Sequence, residues 1–423
     1  MLETVVFIYT IYFALKTYTS VMQIGYINEE KRKQPVLMSA SKYMIAGNYA
    51  VAKEKVALAE GFIDYFLFLW WVIAGFAWLQ NIISIDNQTL EAILFLFGFS
   101  AIGYIIGVPF ELYQRFKIDE EFGFNKMDAK MYIIDTLKSM AMFFIFGGLI
   151  FGALAWLIVS YDSWWLWGFI MLFTIAILVN VLYPTVIAPI FNKFNPLEEG
   201  ELKDAITKLM ESVGLKSDGI FVMDASKRDS RLNAYFGGLG KSKRVVLFDT
   251  LIEKLTKDEL LAVLGHELGH FKHGDIWKNI ILMGILLFTS FFLLGNLPEE
   301  LFTDMGVVPT AGVQIATMSI LLPVISFIFT PIMSFVSRHN EYEADEFGSK
   351  MGGRENLVSA LMKLITENKA FPKSHPLVIF FYHTHPPVIE RLKELGYDAT
   401  NSIIEDDKPL PADGIFSFVD RDS

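Results

Sequence analysis

The residues of this chain best suited to chemistry are His266, Glu267 and His270. Their H-E-x-x-H spacing is typical of zinc proteases, because histidines four residues apart on a helix can bind one zinc ion together. Glu267 lies about a hundred degrees round the helix from His266, beside the ion but badly placed to bind it. A carboxylate in that position can take a proton from a water molecule that the ion activates. The motif therefore predicts a hydrolytic centre with one zinc ion per chain and Glu267 as its base.

The sequence around this motif has the start and stop signals of a helix. Thr256 and Glu259 form a capping box at one end, and Gly274 is a suitable stop at the other. The apolar residues between them recur with helical spacing. A chance pair of histidines on an amphipathic helix is the alternative explanation. The chain has only seven histidines, however, and none precedes His266, which favours a metal site.

A third protein ligand must come from elsewhere, since a catalytic zinc site uses three and keeps one position open. Glu341 and Asp345 stand four residues apart, just after the last apolar segment. We predict that Glu341 is the third ligand and that Asp345 hydrogen-bonds a ligand imidazole and fixes its tautomer. His339 is the alternative ligand. Glu343 points away from this helix face and is predicted to lie in solvent.

Three further histidines have weaker assignments. His383 and His385 are both candidates to donate a hydrogen bond to the negative charge that develops on the scissile carbonyl oxygen. Either could equally be a structural loop residue, and the local sequence leaves the choice open. His273 is predicted to end the motif helix, where the helix dipole favours a cation.

These residues must be positioned by a very apolar chain. Of its 423 residues 53% are hydrophobic, and the mean hydropathy is +0.41. Such values are typical of membrane proteins with several spans. The net charge of −11 argues against a nucleic-acid partner. The absence of cysteine excludes disulfides, thiolate zinc ligands and cysteine nucleophiles.

Seven segments are apolar enough over about 20 residues to cross a bilayer. The first has no basic region before it, so we expect it to remain as a span and not to be cleaved as a signal peptide. The predicted spans cover residues 5–21, 62–83, 92–110, 139–161, 164–187, 279–297 and a stretch within 305–337.

The loops between these spans alternate in charge. The first and third loops carry many lysines and arginines, whereas the second, fourth and sixth carry none. By the positive-inside rule, the N-terminus lies outside, and the zinc site and the C-terminus lie in the cytoplasm. The charged tail from Glu405 onward is predicted to be a peripheral segment.

Several segments between about residues 110 and 395 resemble one family in their sequence, order and spacing. They are 116–125 (FKIDEEFGFN), 183–184, 187–194, 196–197, 226–228, 233–236 (NAYF), 244–251 (RVVLFDTL), the motif helix, 341–345 (EYEAD) and 385–387 (HPP). Together they resemble the type I CAAX prenyl endopeptidases, which are integral-membrane zinc proteases of the sterile-24 type. The first hundred residues resemble this family only in their pattern of spans.

The resemblance implies both a fold and a set of roles. The fold is an all-α integral membrane protein with seven transmembrane helices around a large water-filled chamber. A gluzincin-like α+β zinc-peptidase domain on the cytoplasmic side closes one end. The implied ligands are His266, His270 and Glu341, and the implied base is Glu267. Asn233 and Ala234 are expected on a strand that pairs with an extended substrate, and His385 is favoured over His383 as the donor to the oxyanion.

We therefore predict four regions along the chain. Residues 1–191 hold five spans and two basic cytoplasmic loops, and 192–275 hold the substrate strand and the zinc helix. Residues 276–337 hold spans six and seven, and 338–423 form a cytoplasmic region with the third ligand.

The leading functional hypothesis is a zinc endopeptidase that acts in the lipid bilayer on peptides or lipidated peptides. Family members in eukaryotes remove the three residues after a prenylated cysteine. A quality-control protease for membrane proteins is one alternative, although known examples have two spans. A transporter or receptor with structural zinc is another, but structural sites use four ligands, often cysteines. The lack of cysteine and of an endoplasmic-reticulum retrieval signal at 419–423 favours a bacterial inner membrane over the endoplasmic reticulum.

Overall fold

The computed structural model describes residues 1–215, 219–237 and 244–398 of a mainly helical chain. The tail from Glu405, for which we predicted a peripheral position, lies outside these described residues. The long membrane helices are α1 (Leu2–Glu30), α2 (Ala40–Ile82), α3 (Gln88–Asp119), α4 (Ala129–Ser160), α5 (Trp164–Phe191), α9 (Asp275–Leu294) and α11 (Ala311–Gly352). The other helices are α6 (Glu201–Ser212), α7 (Asp249–Lys254), α8 (Lys257–Lys272), α10 (Glu299–Asp304), α12 (Arg354–Glu367), α13 (Pro376–Tyr382) and α14 (Val388–Glu394).

Seven helices in the described part of the chain are long and apolar enough to cross a membrane, and this confirms the predicted number of spans. Each of them packs against the next one along the chain, and α11 packs against α1, so that the contacts between neighbours follow a ring. α11 also packs against α3 and α4.

The largest apolar core lies where α2, α3, α4, α5, α9 and α11 come together. It combines aliphatic side chains with aromatic ones, which include Trp71, Phe76, Phe95, Trp164 and Phe291. The short helix α10 closes the same end, because its Leu301 and Phe302 belong to this core. This end of the ring is therefore tightly filled.

A four-stranded sheet forms the other part of the fold. Its strands are β1 (Phe194–Pro196), β2 (Ile220–Met223), β3 (Ala234–Gly237) and β4 (Arg244–Phe248), in the order β1-β2-β4-β3. β2 and β4 are parallel, and the other two pairs are antiparallel. β3 is therefore an edge strand. The motif helix α8 packs on this sheet through buried leucines such as Leu264 and Leu268.

Glycines allow α8 and α11 to approach each other closely. A Cβ atom at Gly269 would lie 2.8 Å from the Cα of Ala344, and one at Gly348 would lie 2.7 Å from the backbone N of His266. Real Cβ atoms essentially never come so close to other heavy atoms. Only glycine fits at these two positions, and the contact brings the two metal-binding faces together.

The ends of α8 agree with the sequence signals. The Thr256 side chain accepts a hydrogen bond from the Glu259 backbone, and the Glu259 side chain accepts one from the Thr256 backbone. Gly274 has a φ of +70° after the last turn, in the left-handed region that glycine tolerates.

The division of the chain into four regions stays a prediction, and α11 runs without a break across the boundary placed at residue 337.

Candidate active site

The structure brings together three of the predicted site residues from two helices. His266 and His270 lie on one face of α8, and Glu341 lies opposite them on α11. The Nε2 atom of His266 is 3.5 Å from Oε2 of Glu341, and the Nε2 atom of His270 is 3.3 Å from Oε1. One ligand atom from each of the three lies within 4.8 Å of the others, so the group could hold a metal ion.

The chemistry of this group fits a divalent cation. Glu341 is only 2% exposed, and among the described residues its Oε2 atom accepts no hydrogen bond, although Nη1 of Arg391 lies 3.3 Å from it. A buried carboxylate oxygen in contact with a cation but without a hydrogen bond still has lone pairs that can bind a metal ion. Two imidazoles and one carboxylate are also the donor set of known catalytic zinc sites.

Both imidazoles are oriented by aspartates behind them. Nδ1 of His266 lies 2.8 Å from Asp345, the residue predicted for this contact. Nδ1 of His270 lies 2.8 Å from Asp275, which the sequence analysis missed. Each contact leaves Nε2 directed at Glu341 and available for a metal. Asp275 begins the next helix, five residues after His270. Two residues at this spacing do not share a face of a regular helix, so the sequence pattern does not indicate their contact.

Each aspartate is in turn held by a cation from another element. Arg391 on α14 donates to both oxygens of Asp345, at 2.7 and 2.6 Å. Its Nη1 atom also lies 3.3 Å from Glu341. Lys278 on α9 donates to Asp275 at 2.8 Å and to Asn340 at 2.9 Å. The sequence pattern indicates neither cation.

The electrostatics of the motif helix suit a base and a metal ligand. Burial raises the pKa of the Glu267 carboxyl, and the neighbouring imidazoles only partly oppose this. A carboxylate with a raised pKa is a better proton acceptor. Burial alone would lower the pKa of His270, but its hydrogen bonds to Glu341 and Asp275 raise it to about 9. A metal must displace this proton, so metal binding should weaken in acid.

Of the two histidines near the C-terminus, His385 reaches the cluster. Its Nδ1 atom is 2.8 Å from Oε1 of Glu341, and its side chain is 65% exposed. The exposure leaves room for a substrate atom beside it. His383 is half-buried. Its carbonyl oxygen accepts a hydrogen bond from Arg338, which points to a structural part for this residue.

Two other histidines and Glu343 lie outside the cluster. His339, which was the second possible ligand, is exposed and lies 3.7 Å from Glu343. Glu343 is partly exposed, but it also lies 3.4 Å from Lys278, so it is not only solvated as expected. His273 caps the C-terminal end of α8, as the sequence indicates.

Asn233 and Ala234 lie at the start of the edge strand β3. Asn233 is exposed, and its Oδ1 atom accepts a hydrogen bond from the backbone of Ala234. The side chain of Asn368 holds the preceding residue, Leu232, by its backbone N and O. One edge of β3 pairs with β4, and no strand in the described ranges pairs with the other. An extended peptide can add to such an edge.

A cleft of about 500 Å³ opens beside the metal cluster. His385 and Arg391 line it on one side, and Asn368 lies on its wall near β3. Most of the remaining lining is apolar and includes Leu361 and Phe371. The cleft thus borders residues that contact the metal cluster, and it has room for substrate side chains.

A group of two histidines and a glutamate that could hold a metal ion lies where the membrane helices meet a small sheet, and the Glu267 carboxyl lies beside it. This arrangement is that of a membrane metallopeptidase. Comparisons with known proteins agree. A model of peptidase family M48 matches residues 196–399, and a model of the CAAX prenyl protease N-terminal region with five membrane helices matches residues 29–193.

Curated relatives match over nearly the whole chain. CAAX prenyl protease 1 of Saccharomyces cerevisiae is 33% identical, covering 91% of this chain and 93% of the yeast protein. A human CAAX prenyl protease 1 homolog is 32% identical, covering 83% and 82%. The crystal structure of S. mikatae Ste24p matches with a TM-score of 0.82 and 30% identity, covering 92% of this chain and 97% of that one. The chain belongs to the type I CAAX prenyl protease family of M48 peptidases, and it is a membrane metalloprotease.

Proposed function

We propose that this protein is a zinc endopeptidase that removes C-terminal residues from CAAX-type, prenylated peptides inside a ring of membrane helices. The main support is the convergence of His266, His270 and Glu341, with Glu267 beside them. The names of the relatives, CAAX prenyl proteases, support the substrate class. The family membership also favours a peptidase over a transporter with structural zinc.

In this proposal each site residue has one role. His266, His270 and Glu341 hold zinc, which when bound supplies Lewis acidity to the scissile carbonyl and to a water molecule. Glu267 takes the proton from the water and delivers it to the leaving amine.

The remaining residues position and stabilise the reacting groups. Asp345 and Asp275 accept the Nδ1 protons and so leave both Nε2 atoms as the ring nitrogens that would bind the metal. His385 donates a hydrogen bond to the negative charge that develops on the carbonyl oxygen. The free edge of β3, from Asn233 and Ala234 onward, holds the peptide extended, so that the scissile bond is presented straight.

We further propose that the N-terminus lies outside the cell and that the catalytic region lies in the cytoplasm. The distribution of lysine and arginine over the loops supports this orientation. The N-terminal ammonium group of Met1 pairs with Asp304 at 2.9 Å, so the N-terminus and the sixth loop lie on the same side. The absence of cysteine supports a bacterial inner membrane, although the curated relatives named above are eukaryotic.

Cleavage of one peptide in farnesylated and unmodified form tests the proposed function. We expect the farnesylated peptide to be cut after its cysteine, with the released tripeptide identified by mass spectrometry. A chelator should abolish the reaction, and added zinc should restore it. The control variant Glu267→Gln should keep its zinc, as measured by elemental analysis, but lose at least about 100-fold in kcat. Full activity in this variant, or cleavage that resists the chelator, would contradict the proposal.

A further inference from the structure

The first half of α2 extends beyond the apolar part of the span and contacts the catalytic region. Its Tyr49 is buried, and the hydroxyl donates a hydrogen bond to Asp119 at 2.7 Å. Arg231 donates to the same Asp119 oxygen at 2.8 Å and also pairs with Asp229. The side chain of Arg231 therefore joins the start of the catalytic strand region to the membrane helices.

Lys53 lies one turn further along α2, on the same face as Tyr49. Its ammonium group is 5.1 Å from the centre of the Tyr49 ring, and the residue is exposed. No carboxylate in the described part of the chain forms an ion pair with it. Asp119 and Glu54 lie near enough to act on it through space, but neither contacts the ammonium group directly, so its N–H donors can still bind an anion.

A third cation stands on the other side of Arg231. Lys369 lies 4.2 Å from the centre of the Phe124 ring, and the guanidinium of Arg231 lies at the same distance from that ring. Lys369 donates its hydrogen bond to a backbone carbonyl oxygen and not to a carboxylate. Asp119 and Asp229 balance the charge of Arg231. Lys53 and Lys369, by contrast, form no ion pair with a carboxylate among the described residues, although Glu54 and Glu367 lie near them.

The position of these cations relative to the free edge of β3 indicates which anion they bind. Arg231 precedes Asn233, the start of β3, by two residues. A peptide that lies antiparallel on the free edge of β3 runs with its C-terminal residues past Asn233 towards Arg231 and Lys53. Three extended residues span about 10 Å. A substrate cut three residues from its end would thus carry its terminal carboxylate into this region.

We propose that Lys53 binds the free C-terminal carboxylate of the peptide substrate. This inference rests on the proposed peptidase function and adds a second recognition point to it. The carboxylate fixes the end of the chain, and the cut then falls a set number of residues before it. An internal peptide segment of the same sequence lacks this group and binds less well.

Paired peptides that differ only at their C-terminus test this inference. One ends in a free carboxylate and the other in a carboxamide, which has the same shape without the charge. We expect the wild-type protein to prefer the acid by about 10- to 100-fold in kcat/KM, as fits a hydrogen bond between charged groups. The difference should lie mainly in KM, because the carboxylate is remote from the reacting atoms.

Variants of Lys53 then test whether this residue binds the C-terminal carboxylate. The acid-to-amide ratio should fall towards one in Lys53→Met and should stay close to the wild-type value in Lys53→Arg. Lys55→Met is the matched control, since Lys55 lies on another face of the same helix and should leave the ratio unchanged. Should Lys53→Met not fold, Lys53→Gln gives the same comparison. The acid-to-amide ratio of the wild-type protein shows by itself whether the protein recognises the carboxylate.

The outcomes separate the two proposals. Equal cleavage of acid and amide by the wild-type protein overturns the inference and leaves the peptidase function intact. A preference that persists in the Lys53 variants without a positive charge also overturns it. Failure of the wild-type protein to cut either peptide contradicts the proposed function itself.

Discussion

At the scale of single residues, the two metal-facing histidines are held by matched supports. His266 is backed by Asp345 and Arg391, and His270 is backed by Asp275 and Lys278. In each case the aspartate holds the Nδ1 proton, and the cation keeps the aspartate in place. The geometry of the site therefore depends on side chains that never touch a substrate.

The support of His270 can be tested by Asp275→Asn, which keeps the shape of the side chain but removes its charge. We expect zinc affinity to fall by about 10- to 100-fold, because Nδ1 of His270 loses its anionic partner. Competition with a chelator on the purified protein measures this. Asp258→Asn, an exposed change on the same helix, is the control. An unchanged chelator midpoint in Asp275→Asn would show that His270 needs no such partner.

The sequence could predict the site where its geometry is local. The positions of His266, Glu267 and His270 on one helix follow from their spacing, and so does the shared face of Glu341 and Asp345. Arg391 could not be predicted in the same way, because it reaches the site from a separate helix through the tertiary fold. A lone arginine on a surface-like helix gives no signal of such a contact.

At the scale of elements, α8 is fixed at both of its faces. Glycines bring it against α11, and the buried carboxylate of Glu259 ties its first turn to α12. Glu259 accepts hydrogen bonds from Ser359 at 2.6 Å and from Lys363 at 2.7 Å, besides its part in the capping box. Hydropathy predicted the span of α2 only from residue 62, whereas the helix begins at Ala40. The first half of α2 contains charged residues, so a search for apolar segments does not detect it.

Glu259→Gln should lower the stability of the catalytic region by about 2 kcal/mol, because the charged hydrogen bonds are lost. Burial alone would raise the pKa of Glu259, but the bonds from Lys363, Ser359 and Thr256 lower it to about 2. A lowered pKa stabilises the fold above the unfolded value of 4.5, and this contribution disappears as the pH falls from there towards 2. Melting temperatures in detergent should therefore differ at neutral pH and converge in acid. The exposed control Glu253→Gln should match the wild type throughout, and a constant difference would refute the assignment.

At the scale of the whole molecule, the two ends of the ring differ. One end is filled by an apolar core and bears loops without lysine or arginine. The other end carries the sheet, α8 and the metal cluster. The orientation of the ring in the membrane thus decides from which compartment peptides are taken.

Single cysteines determine this orientation, since the chain has no cysteine of its own. Ser84 lies in the second loop and Ser212 ends α6 in the catalytic region, and both are exposed. Replacement of serine by cysteine changes one atom and should not disturb either site. A maleimide that cannot cross membranes should label Ser84→Cys in intact cells, but Ser212→Cys only after permeabilisation, because the positive-inside rule places the basic loops in the cytoplasm. The reverse pattern would invert the topology and place the metal cluster outside.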